Sequence, residues 1–184
     1  MRSLLLLSLL LMTQACATFE SGDLPLLEQW PPSAAAAPAT VAFEIEGLPK
    51  KFHAGWQRKA GEVLMASGRF SNVVAGAEQQ AQARMHFDFE WSRPPLPVTR
   101  TWMALCAMTA GIVPARAAWD FEVRASVFGA DGKQLGVIER SVGAETWIGW
   151  VMIFALPFAG AGTSSLMEDT TRSIVLEAIE RGLF

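Results

Sequence analysis

The sequence predicts an α+β fold, a two-layer sandwich in which a mostly antiparallel or mixed sheet of four to five strands carries two helices on one face. Three observations point there. Several stretches alternate apolar and polar side chains with the period of a half-buried strand. One stretch beyond Pro49 repeats its apolar residues at helical spacing. Asp131-Gly132 stands between two long alternating runs, where a hairpin turn belongs.

In chain order, Val41, Phe43 and Ile45 alternate with Ala42, Glu44 and Glu46 and stop at Gly47, which gives a first strand. Phe52, Trp56, Ala60, Val63 and Leu64, separated by Arg58, Lys59 and Glu62, form the apolar stripe of an amphipathic helix, and Gly68 falls at its C-terminal cap. Phe70 to Val74 predicts a short second strand, and Glu78 to Gln82 a polar turn. In Ala83 to Trp91, Met85, Phe87, Phe89 and Trp91 alternate with His86, Asp88 and Glu90, so one face is core and the other polar. Ala117 to Phe128 is a long strand with Trp119, Phe121, Val123, Ala125 and Val127 on its apolar face. A type I′ turn at Asp131-Gly132 returns the chain through Gln134 to Ala144. Pairing Ala130 with Lys133 sets Arg124 opposite Glu139 and Phe121 opposite Val142, so the apolar faces coincide, with Arg140 the exception. Ser165 and Glu168 make a capping-box pair before Ile174, Ala178 and Ile179, and the chain ends in a helix.

The N-terminus reads as an export signal: Met1-Arg2, the apolar run Leu4 to Met12, then Thr13-Gln14-Ala15-Cys16. The apolar run is too short for a membrane-spanning helix. Its last four residues resemble the lipobox of bacterial lipoproteins, with Thr13 in place of the usual leucine. That resemblance implies cleavage before Cys16 and acylation of Cys16, and several acyl chains anchor far more firmly than one. Ala17, standing where aspartate signals inner-membrane retention in enterobacterial sorting, implies a lipid-anchored, periplasm-facing protein of the outer membrane. An ordinary signal peptide cut near Ala15 or Ala17 is the competing reading. The expected organisation is a signal at 1–15, a lipidated tether rich in alanine and proline at 16–39, and a single domain at 40–184.

Composition narrows the partners. A net charge of -3 and a pI near 5.4 leave no basic footprint for nucleic acid, so that partner class is excluded. Only Cys106 remains once Cys16 carries lipid, so no intrachain disulfide can form and the fold must hold by packing. The hydrophobic fraction of 51% and mean hydropathy of +0.26 are high for a domain with 18% charged residues. Part of this excess is the signal, and the rest lies in two segments, 102–114 and 147–162.

No charge occurs between Arg100 and Arg116, nor between Glu145 and Glu168. The first segment is too short to span a bilayer as a helix, and the second is broken by Pro157. One reading makes both segments core crossovers behind the sheet. The other follows from the hairpin, whose open ends near Arg116 and Glu145 bring one segment in where the other leaves. On that reading Trp102, Met103, Leu105, Ile112, Trp147, Trp150, Ile153 and Phe154 form an edge for membrane or partner contact. The tryptophans then sit at an interface, and Arg100 and Arg116 meet lipid phosphate.

Catalytic machinery is not visible. With two histidines, His53 and His86, and Cys106 as the remaining thiol, neither a familiar zinc spacing nor a Cys-His dyad can be built, and no cofactor is expected. His86, Asp88 and Glu90 share a strand face that could take a metal, but a solvated face explains them more simply. Gly160 to Ser165 lacks the lysine and spacing of a phosphate loop and reads as a flexible entry to the last helix.

The order of strand, helix ending in Ser67-Gly68-Arg69-Phe70-Ser71-Asn72-Val73, alternating strand, hairpin with Asp131-Gly132-Lys133 and final helix resembles a group of periplasmic lipoprotein domains. Among these are the N-terminal domain of the Tol-system TolB protein and the periplasmic part of the curli-secretion lipoprotein. Ala110-Gly111-Ile112-Val113-Pro114 is similar to the Leu-Gly-Leu-Ile-Pro segment of a set of proteobacterial outer-membrane lipoproteins. The resemblance covers most of the mature domain. It implies an α/β periplasmic module and carries over no functional residue beyond Cys16. The apolar segments are unlike the alternating membrane strands of the curli channel, which argues against a pore.

The expected function is therefore a non-enzymatic accessory or scaffold lipoprotein of the cell envelope. It contacts membrane lipid through acylated Cys16, and membrane, another envelope protein or a second copy through its apolar edge. A lipid-binding or lipid-transfer module, with the Trp102 and Trp147 segments lining a pocket, is the alternative.

Overall fold

A computed structural model describes residues 15–21, 24, 30, 40–76, 81–93, 98–149 and 163–184. The elements are β1 (Ala15–Ser21), β2 (Thr40–Glu46), α1 (Lys50–Ala66), β3 (Asn72–Ala75), β4 (Ala83–Arg93), α2 (Val98–Met108), β5 (Ala115–Gly129), β6 (Gln134–Gly149) and α3 (Thr163–Glu180). The fold is α+β, as predicted. Its sheet runs β1-β6-β5-β4-β2-β3. Five of these strands lie within the predicted domain. The sixth, β1, comes from the stretch read as the start of a tether and pairs antiparallel with β6. The sheet is mixed because β2 pairs in parallel with both β3 and β4.

The chain divides into two compact units, and β5 and β6 each contribute to both. The larger contains β2, α1, β3, nearly all of β4, the turn half of the β5–β6 hairpin and α3. The smaller contains β1, α2 and the open half of the hairpin.

The larger unit is built as its periodicity demands. Val41, Phe43 and Ile45 of β2, Met85, Phe87 and Phe89 of β4, and Phe121, Val123, Ala125 and Val127 of β5 are all buried, so every second residue enters the core. Trp56, Ala60, Val63 and Leu64 of α1 close over that face. There Trp56 meets Phe89 edge-on at 4.6 Å and Phe121 at 5.9 Å between ring centroids. Helix α1 ends where predicted: Gly68 takes φ 66°, and Ser67 Oγ donates to the Leu64 carbonyl at 2.6 Å. Helix α3 lies on the same face, joined to α1 by Lys59 Nζ, which donates to Glu168 at 3.2 Å.

Two local expectations change. The hairpin closes through a three-residue loop rather than a type I′ turn: Gly132 N–H donates to the Gly129 carbonyl and Gly129 N–H to that of Lys133, with Gly132 at φ 78°. That is the geometry of a type I turn followed by a left-handed glycine, which Asp-Gly serves as readily. Gly129 thus takes the place opposite Lys133 that Ala130 was expected to hold, while Arg124 lies 2.9 Å from Glu139 and both Phe121 and Val142 are buried. Helix α3 starts at Thr163, which places Ser165 inside the helix, and Glu168 turns to Lys59 and Arg172 rather than back to the helix start.

Candidate functional site

The first apolar segment becomes α2 and the turn after it, within the smaller unit. Between Thr101 and Met108 only Cys106 is buried, at 4% exposure. Trp102, Met103 and Leu105 are exposed, Met108 is 85% exposed and Ile112 63%. A surface helix of a soluble domain normally turns its apolar residues inward, so α2 presents an apolar surface outward on a backbone held from behind.

Three contacts hold it. Cys106 Sγ donates to the Ile148 carbonyl of β6 at 3.5 Å. The helix ends in a Schellman turn, with Gly111 N–H bonded to the Cys106 carbonyl at 2.7 Å and Ala110 N–H to that of Ala107 at 3.2 Å. Ala110 therefore occupies the left-handed position, at φ 51°. Thr109 Oγ1 accepts from the Val113 amide at 3.2 Å, which fixes the loop that displays Ile112. The loop then crosses Gly149, where a Cβ would stand 2.9 Å from the Gly111 carbonyl oxygen and 3.2 Å from Pro114.

β1 pairs antiparallel with β6. Cys16 pairs with Ile148 and Ala17 with Trp147, and the hydroxyls of Thr18 and Thr146 meet at 3.2 Å. Ile148 thus has the backbone of Cys16 beside it on one strand while its carbonyl receives Cys106 of α2. At the hairpin's open end Arg116 donates to Glu145 at 2.7 Å and its guanidinium lies 5.6 Å from the Trp147 ring centroid. Arg116, expected to meet lipid phosphate, is thereby paired within the unit.

Of the predicted contact residues, Trp102, Met103, Leu105 and Ile112 are gathered on α2 and its turn. Trp102 is 42% exposed. Trp147 is half-buried beneath Arg116. Trp150, Ile153 and Phe154 lie outside the described residues. Met108, the most exposed of the large apolar side chains here, was missed because a helix with no polar face shows no period from which to place its last turn.

On the polar face of the larger unit, His86 stands 3.8 Å from Glu44 and 3.7 Å from Glu46, its neighbours across β2–β4. Among the described residues no group of three or more His, Cys, Asp or Glu stands close enough to hold a metal ion. No described helix is long and apolar enough to cross a membrane.

Fold and surface together define an α+β chain in which the unit that holds β1 also displays an outward-facing apolar helix. No family model and no curated protein matches the chain. Among solved structures it is similar to the PelC dodecamer from Paraburkholderia phytofirmans, at 12% identity and a TM-score of 0.41 over 88% of this chain and 95% of that one. It is also similar to a minor lipoprotein from Acinetobacter baumannii, at 11% identity and a TM-score of 0.41 over 78% of this chain and 94% of that one.

Proposed function

We propose that this protein is a non-enzymatic accessory lipoprotein of the bacterial cell envelope, held to the outer membrane by acyl chains on Cys16 and seated on the lipid surface by α2. The observation that carries the reading is the shared attachment at Ile148. Cys16 pairs with it from β1, and Cys106 of α2 donates to its carbonyl, so the anchoring residue and the apolar helix both reach one residue of β6. On this reading the acyl chains of Cys16 and the exposed Trp102, Met103, Leu105 and Met108 enter the same bilayer. An outward helix of this kind rests at the boundary between headgroups and acyl chains, where tryptophan also settles.

The test separates the two contacts. The full chain carrying Cys16→Ser is mixed with phosphatidylethanolamine–phosphatidylglycerol vesicles and floated on a density gradient, alongside the same chain with Met103→Ser, Leu105→Ser and Met108→Ser added. The first should float and the second remain in the aqueous fraction. Equal flotation of both, or of neither, defeats the membrane reading of α2. Capture of α2 by a second copy or another envelope protein would instead appear as a crosslink from Met108 to protein.

A further inference from the structure

Arg84 differs from six other arginines of the described residues. Arg58, Arg116, Arg124, Arg140, Arg172 and Arg181 each pair with a glutamate. Among the described residues no ion pair is formed by Arg84, and its Nε is buried without a protein hydrogen-bond partner. A buried donor left unmatched is costly, and a guanidinium presents a fixed fork suited to a planar or tetrahedral anion.

The surroundings form a site. Arg84 lies on the polar face of β4, beside Ala42 of β2, on the wall of a pocket of about 490 Å³ that is also lined by Phe128, His86, Glu44 and Gly132. This volume suits a small organic molecule. The hairpin loop shapes one side: Nη2 of Arg84 stands 3.3 Å from where a Cβ on Gly132 would project, so the left-handed glycine also makes room for the guanidinium. Ala42 and Phe128 give the pocket apolar surface, while the Glu44 carboxylate stands by the His86 imidazole.

We propose that this pocket binds a small organic anion, with Arg84 donating to its carboxylate or phosphate group and Phe128 and Ala42 covering its apolar part. The site belongs wholly to the larger unit and does not depend on the membrane reading of α2.

The experiment is an NMR titration of the full isotope-labelled chain with hexanoate and, separately, inorganic phosphate. Saturable shifts confined to residues 42–44, 84–86 and 128–132 are expected with at least one probe. Binding should weaken at least tenfold in Arg84→Gln and less in Arg84→Lys, which keeps the charge. Hexanoate alone would assign a carboxylate with an apolar body, and phosphate alone a phosphoryl group. Absence of saturable binding by either probe, shifts centred elsewhere, or unchanged affinity in an Arg84→Gln chain with a wild-type amide spectrum outside the pocket would overturn the proposal. Should Arg84→Gln fail to fold, unaltered affinity in Arg84→Lys would overturn it as well, because the fork and not the charge alone is required.

Discussion

Arg140 of β6 points into the face that the sheet buries and closes on Glu177 of α3, with its Nε donating to Ser173 Oγ at 2.8 Å. The two side chains are 21% and 19% exposed, so water reaches the pair only in part. Glu177→Ala leaves the guanidinium without its carboxylate and should cost about 2 kcal/mol. Urea unfolding measures it. Arg140→Leu combined with Glu177→Leu should recover much of the loss, since both partners leave together.

Gly149→Ala tests how α2 is held. A methyl group there meets the Gly111 carbonyl and Pro114, both of which are backbone or ring atoms that cannot swing aside. Overpacking of this kind should cost about 1–3 kcal/mol. A thermal melt should show the loss, and limited proteolysis should show earlier cleavage within 109–114. An unchanged melt would mean the loop moves freely.

Ala110→Gly should have the opposite sign. Ala110 sits at φ 51° in the Schellman turn, where an L side chain crowds the following carbonyl. Relief of that strain should raise stability by about 1 kcal/mol, read from the denaturant midpoint.

Lys59 predicts a pH dependence. Hydrogen bonds to Glu62 and then Glu168 hold its ammonium above the ordinary lysine value of 10.5. A pKa raised by folding stabilises fully below the unfolded value, and that contribution is lost as the pH climbs through the folded one. Lys59→Met should therefore lower the urea midpoint at neutral pH, and the gap to wild type should close as the pH is raised beyond 10.5. A gap that persists into strong alkali would assign the loss to packing of the stem instead.

The larger unit was readable because its elements have polar faces. Trp56 and Leu64 stand at helical spacing among charged residues, and His86, Asp88 and Glu90 mark the solvent side of β4, so period and face could both be assigned. The partnership of Arg140 was not readable, since a charge at a core position announces an exception but not its mate on α3. Helix α2 escaped because Trp102 to Met108 is apolar all round. Strand β1 escaped for another reason: nothing local in Ala15–Ser21 names Gly143–Gly149 as its mate. Arg84 shares the period of His86, but only the assembled sheet shows its Nε buried without a hydrogen-bond partner.

The hydroxyl contact between Thr18 and Thr146 joins positions 128 residues apart. During synthesis the segment that becomes β1 emerges well before β6, and it has no edge to pair with until the far end of β6 has been made. Closing so long a chain segment carries an entropic cost that local elements such as α1 do not face. Docking of β1 is therefore expected late in folding, when the hairpin already offers a finished edge. Until that moment the backbone groups of the β6 edge and of the β1 segment have no partner in each other.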